Sequence, residues 1–87
     1  MILSIIVPTY NEEKTIIKIL EKIKNNSSDF FKYEVIVIDD ASTDQSSKLL
    51  EDNKHLYDKL LINETNKGKG FSVKRGISSA SGTHVIF

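Results

Sequence analysis

With 87 residues and no cysteine, the chain has room for one domain and excludes a disulfide framework or a thiolate metal site. Twelve basic and 12 acidic residues cancel, which gives no support for a nucleic-acid binder and removes one barrier to self-association. The opening MILSIIVP is apolar but short, lacks a basic flank and is interrupted by Pro8, so it reads neither as a signal peptide nor as a membrane span.

Residues 2–7 form a continuous β-branched run, the pattern of a strand buried on both faces, and Pro8 is expected to end it. Asn11 is placed to cap a helix with Glu12 and Glu13 in its first turn. Ile16, Ile19, Leu20 and Ile23 give that helix an apolar face to about Lys24, and a polar loop over 25–29 follows. Residues 33–38 read as a second buried strand ending in Asp39 and Asp40. Ser42 and Gln45 have the spacing of a capping box before a second helix that carries Leu49 and Leu50. A weaker strand over 59–62 leads to a polar, glycine-containing loop over 63–70. Val73, Ile77 and Ala80 mark one face of a third helix, Gly82 breaks it, and a fourth strand begins over 83–87. The order β-α-β-α-β-α-β with short connections demands an α/β fold with an open parallel sheet and right-handed crossovers. Ligands in such sheets bind beyond the carboxyl ends of the strands, which directs attention to residues 8–12, 39–44 and 63–70.

Each strand end carries a functional and an ordinary reading. In VPTYNEE, Tyr10 sits on a loop where its ring could stack on a nucleobase; a proline-ended strand with a half-buried tyrosine explains the same residues. In VIVIDDASTD, an aspartate could accept a hydrogen bond from a base or a ribose, could cap the next helix, or could join a Mg²⁺ site. In NETNKGKGFSVKRG, Gly68 and Gly70 precede a helix among Lys67, Lys69, Lys74 and Arg75, which suits a phosphate but also a solvated loop. The stretch is neither a P-loop, for want of G-K-[ST] at the required spacing, nor a dinucleotide fingerprint, whose third glycine is replaced by Val73. His55 and His84 have no partner at metal-ligand spacing.

Taken together, SIIVPTYNEEKTI, EVIVIDDASTD and NKGKGFSVKRGI followed by ASGTHVIF resemble the N-terminal half of a family 2 glycosyltransferase. The NKGKGFSVKRG stretch is most similar to enzymes that charge polyprenyl or dolichyl phosphate with a sugar. The resemblance implies a Rossmann-like half of a GT-A fold, strand order 3-2-1-4, and an inverting transferase that uses a nucleoside diphosphate sugar, uridine- or guanosine-linked. It implies that Pro8, Thr9 and Tyr10 line the base pocket with Tyr10 stacking, that Glu12 faces the ribose, and that Asp40 bonds the base with Asp39 beside it. Lys67, Gly68 and Lys69 would border the nucleotide, and Arg75 would lie toward the diphosphate.

In that family the strand matching THVIF leads into an acidic D-x-D-type motif that holds Mg²⁺ or Mn²⁺, with the acceptor site and general base further on. The chain is therefore expected to be one donor-side domain over residues 1–87, truncated before the metal motif. It is expected to carry no catalytic residue and no metal ligand, and to be inactive alone. The resemblance places it in the cytoplasm, with the cytoplasmic membrane face as the site for the full-length protein. A stand-alone nucleotide-binding or interaction module without transferase activity is the alternative. A receiver-like domain with Asp39 and Asp40 on Mg²⁺ is disfavoured because no later strand-end Lys or Thr completes such a site. The apolar fourth strand is expected to leave an exposed edge near Thr83 and Phe87 through which chains self-associate.

Overall fold

A computed structural model describes residues 2–26, 32–82 and 84–86. The chain runs β1 (Ile2–Thr9), α1 (Ile16–Asn25), β2 (Lys32–Asp39), α2 (Ser46–Asp52), a single 3₁₀ turn (Lys54–Leu56), β3 (Lys59–Ile62), α3 (Lys69–Ser79) and β4 (His84–Ile86). All strand pairs are parallel and the order is β3-β2-β1-β4, as expected. Thr83 and Phe87, and most of the expected 25–29 loop, lie outside the described residues.

β1 and β2 are the two inner strands, which is why both read as unbroken apolar runs. Their side chains alternate between two faces. Ile5, Val7, Val35 and Val37 pack with Ile16, Leu20, Leu50 and Leu56. Ile6, Ile36 and Ile38 pack on the other face with Leu61, Ala80 and Val85. Leu20 and Leu50 are wholly buried, each stabilising the fold by about 1.5–3 kcal/mol through apolar area removed from water.

Several local expectations are corrected. First, Pro8 does not end β1; it pairs with Ile38 inside the strand. The Thr9 carbonyl accepts the Asp40 N–H (2.8 Å), so the backbone of Pro8 faces the opposite flank, toward β4. Among the described residues pairing with β4 spans Leu3 to Ile5, short of Pro8. Second, Asn11 does not cap α1, which begins at Ile16 with Thr15 before it. The N–H groups of Thr15 and Ile16 both donate to the Glu12 carbonyl, making a separate turn that leaves Glu12 and Glu13 outside the helix. Ile19, expected on the buried face of α1, is 42% exposed.

Third, the packed face of α3 is small rather than apolar. Ser72 and Gly76 are its buried positions, one turn apart, whereas Val73 is half-buried and Ile77 exposed. A Cβ on Gly76 would stand 2.7 Å from both Ile38 Cδ1 and Ile6 Cγ2, so α3 presses its backbone directly onto the sheet. Fourth, Gly82 does not break the helix, which already ends at Ser79. It allows a close approach: a Cβ there would lie 2.8 Å from the Ile2 carbonyl and 2.9 Å from the Ser4 nitrogen.

Candidate functional site

The carboxyl edge of the sheet is shaped by side chains that hold loops. Asn11 adopts a left-handed backbone (φ 51°), which asparagine tolerates, and turns the chain sharply after β1. Its Oδ1 accepts the N–H groups of Thr43 (2.7 Å) and Asp44 (3.3 Å). Its own N–H donates to Ser42 Oγ (3.0 Å), and the Glu12 N–H donates to buried Ser46 Oγ (2.8 Å). The β1–α1 loop is thus sewn to the β2–α2 loop. No capping box forms: the helix starts after Gln45 with no side-chain cap, and Ser42 is drawn instead to Asp39.

The two aspartates diverge. Asp39 Oδ1 accepts the hydroxyl (2.6 Å) and N–H (3.2 Å) of Ser42, and its Oδ2 accepts the Ser47 hydroxyl (2.7 Å). Asp40 turns to the α3 side. Its Oδ1 accepts the Lys67 N–H (2.7 Å) and Asn63 Nδ2 (2.9 Å), and its Oδ2 accepts the Gly68 N–H (2.9 Å). Burial works against the charge on Asp40, but the bonds from Lys67, Asn63 and Gly68 and the nearby Lys67 cation outweigh it and hold the carboxyl below the usual range. Between their partners, Ala41 is held at φ 59°, a left-handed conformation uncommon for a residue with a Cβ. Gly68 takes φ 92°, which glycine permits, and so delivers consecutive N–H groups to Asp40 before α3 begins.

Above this frame lies an open cleft of about 320 Å³, lined by Pro8, Thr9, Tyr10, Glu12, Asp40, Lys69 and Ser72. Six of the ten site residues expected from the sequence meet here: Pro8, Thr9, Tyr10, Glu12, Asp40 and Lys69. Tyr10 is 45% exposed where it lines the cleft. The Thr9 hydroxyl is buried and finds no hydrogen-bond partner among the described residues. Gly68 and Asp39 are not among the cleft's lining residues: Gly68 is bonded to Asp40, and Asp39 is held by Ser42 and Ser47. Lys67 and Arg75 line a second, separate pocket of about 280 Å³ with Ile62, Asn63, Glu64 and Phe71. Sequence reasoning missed Ser72 and Asn63. The spacing of Gly68, Ser72 and Gly76 at every fourth position was the available signal for a helix face in close contact.

The two aspartates at the end of β2 do not form a shared cation site. Asp39 and Asp40 engage different partners on opposite sides of the strand, and among the described residues no group of three or more His, Cys, Asp and Glu side chains is placed to hold a metal ion.

Comparison with known proteins matches the chain over residues 4–87 to the family described as Glycosyl transferase family 2. Dolichyl-phosphate beta-glucosyltransferase of Mus musculus is 39% identical over 97% of this chain and 29% of its own length. The crystal structure of Staphylococcus aureus TarS 1–349 in complex with UDP-GlcNAc superimposes with a TM-score of 0.86 at 34% identity, over 100% of this chain and 26% of that one. The mannosyltransferase PcManGT of Pyrobaculum calidifontis, in complex with GDP-Man and Mn²⁺, gives 0.82 at 31% identity, over 95% of this chain and 25% of that one. The chain therefore spans less than a third of each of these proteins.

Proposed function

Because this chain belongs to glycosyl transferase family 2, with the Rossmann-like parallel sheet of GT-A enzymes, we propose that its cleft binds the nucleoside diphosphate part of a nucleotide sugar. The observation that carries the proposal is the convergence of Pro8, Thr9, Tyr10 and Glu12 from the end of β1, Asp40 from the end of β2, and Lys69 from the start of α3 on one cleft. Tyr10 stacks on the base, and the backbone at Pro8 and Thr9 borders it. Asp40 is acceptor-only, and its Oδ2 takes one bond from Gly68, leaving a lone pair for a ligand donor. A base edge that presents a ring N–H, as in uracil or guanine, satisfies that acceptor; the complexes of related proteins contain UDP-GlcNAc and GDP-Man. Glu12 faces the ribose. Lys69, at the positive end of α3, faces the diphosphate.

Titration of the chain with UDP, GDP, CDP and ADP tests this. UDP or GDP is expected to bind best. Tyr10→Ala is expected to weaken binding by about 5- to 150-fold, the equivalent of the about 1–3 kcal/mol that one base–aromatic stack supplies. A folded chain that binds none of the four would defeat the reading.

The reading extends to the longer protein. A dolichyl-phosphate relative supports a polyprenyl phosphate acceptor. The Mn²⁺ in a related complex supports use of a divalent cation, which on the family resemblance an acidic motif would hold. On that account residues 1–87 are a donor-side domain that transfers no sugar alone. Among the described residues no helix is long and apolar enough to cross a membrane, and we place the protein in the cytoplasm, at the membrane face where a lipid-linked acceptor is presented.

Self-association is a separate part of the proposal. β4 lies at one edge of the described sheet, and Ile86 on it is 49% exposed. An apolar edge strand pairs with another chain. Sedimentation is expected to show a concentration-dependent dimer that Ile86→Lys weakens. A strictly monomeric mass at high concentration would rule it out.

A further inference from the structure

One nitrogen of the exposed Arg75 guanidinium is held by the protein. Its Nη1 donates to the Ile62 carbonyl (2.9 Å) and to Asn63 Oδ1 (2.9 Å). Asn63 is 4% exposed. It donates its side-chain nitrogen to Asp40 Oδ1 (2.9 Å) and to Ser72 Oγ (3.0 Å), and its backbone N–H to the Asp39 carbonyl (2.9 Å). A continuous polar chain therefore runs from Arg75 through Asn63 to Asp40 and Ser72, and the last two line the cleft. Arg75 lines the other pocket.

The chemistry of the chain has one direction. An asparagine amide has an acceptor end and a donor end, and a half-turn exchanges them. Arginine only donates and an ionised carboxylate only accepts. With Arg75 on one side and Asp40 on the other, the amide of Asn63 has a single satisfactory orientation. Removing Arg75 leaves the Asn63 oxygen without that donor and frees the amide to turn. A turned amide would set its oxygen against the Asp40 carboxylate, a repulsion at low dielectric.

We propose that Arg75 is a positioning residue for the base: through Asn63 it fixes the Asp40 carboxylate and the Ser72 wall of the cleft, and it makes no contact with the diphosphate. The proposal rests on the nucleotide-binding reading above. It replaces the diphosphate role that the sequence suggested for Arg75, and it makes Asn63 part of the machinery.

The affinities of uridine and UDP separate the possibilities, with guanosine and GDP used if that pair binds better. Arg75→Ala is expected to weaken the nucleoside and the diphosphate by the same factor, about ten-fold, typical of coupling within one hydrogen-bond network. Their ratio stays that of the unmodified chain. Lys69→Ala, on the phosphate side, is expected to weaken UDP and leave uridine unchanged. Arg75→Lys covers the case in which the alanine variant fails to fold. It keeps a cation for a diphosphate but loses the planar, longer guanidinium that spans Ile62 and Asn63. Equal weakening of both ligands by Arg75→Lys supports positioning. Loss of UDP affinity alone in Arg75→Ala, or no loss of either ligand in both variants, overturns the proposal while leaving the binding site intact. An unmodified chain that binds neither uridine nor UDP, guanosine nor GDP, defeats the nucleotide-binding reading itself.

Discussion

Asp40→Asn is expected to destabilise the chain by about 3 kcal/mol and to weaken nucleotide binding at least ten-fold. The native carboxylate accepts three hydrogen bonds, from Lys67 N–H, Asn63 Nδ2 and Gly68 N–H, in a position only 4% exposed. A hydrogen bond to a charged group contributes about 1.5–3 kcal/mol, and a buried donor left unmet costs about 1–3 kcal/mol. An asparagine keeps one oxygen, which serves Lys67 and Asn63, but turns its NH₂ toward the Gly68 N–H. Two donors then face each other where a ligand N–H is also to be received. For a domain of this size, a loss of about 3 kcal/mol lowers the melting temperature by about 12–24 °C.

The pH dependence has a definite sign. The folded carboxyl of Asp40 lies below its ordinary 3.8. Its contribution is complete above that value and fades as pH falls through the lower, folded pKa. The asparagine variant should lack this acid limb. Urea unfolding of both proteins at pH 7 and in a series below pH 4 measures it. An asparagine variant as stable as its parent would show that the carboxylate does not hold the 63–68 loop.

The two inner strands were legible because burial on both faces leaves an unmistakable run, Ile5, Ile6 and Val7 in β1 and Val35, Ile36, Val37 and Ile38 in β2, whereas their order in the sheet came from the family resemblance. The cleft was legible because strand ends in a parallel sheet share one edge, so Tyr10, Asp40 and Lys69 had to fall near one another. What escaped was the competition among polar side chains for backbone partners. Asn11, Ser42 and Asp44 each have the chemistry of a helix cap, and local spacing favours that use. In the fold, Asn11 and Ser42 join two loops some thirty residues apart, as the Asn11 N–H bond to Ser42 shows. No local pattern encodes that choice. The small face of α3 escaped for a related reason: periodicity weighs apolar bulk, whereas Ser72 and Gly76 pack by having little. The family resemblance set Arg75 toward the diphosphate, and no sequence pattern announces the bonds of its Nη1 to the Ile62 carbonyl and Asn63.

Glu34→Ala is expected to destabilise the chain by about 2–3 kcal/mol and to leave nucleotide affinity at pH 7 unchanged. Glu34 stands toward the amino end of β2, away from the cleft, and gathers the α3–β4 connection onto the sheet. Its Oε1 accepts the Ser4 hydroxyl (2.8 Å) and the Ser81 N–H (2.9 Å), and its Oε2 accepts the Ser81 hydroxyl (2.5 Å). Lys59 Nζ lies 3.5 Å from Oε2 and donates to the Ser79 carbonyl (2.6 Å), while Ser4 Oγ accepts the Gly82 N–H (2.9 Å). The hydroxyl and N–H of Ser81, then the Ser4 hydroxyl and the Lys59 cation, outweigh the cost of partial burial and hold the carboxyl at about 2, against an ordinary 4.5. That stabilisation is present above pH 4.5 and is lost progressively as pH falls toward 2. Alanine should therefore flatten the acid side of the stability curve in that window. Because the four-way junction fixes where β4 meets β1, its loss should appear first as faster hydrogen exchange of the β4 amides, with the inner strands still protected. Uniform loss of protection across all four strands would mean that Glu34 supports the whole sheet. An equal loss of nucleotide affinity would mean that the two ends of the sheet are coupled, against the separation drawn here between the polar junction that places β4 and the carboxylate that shapes the cleft.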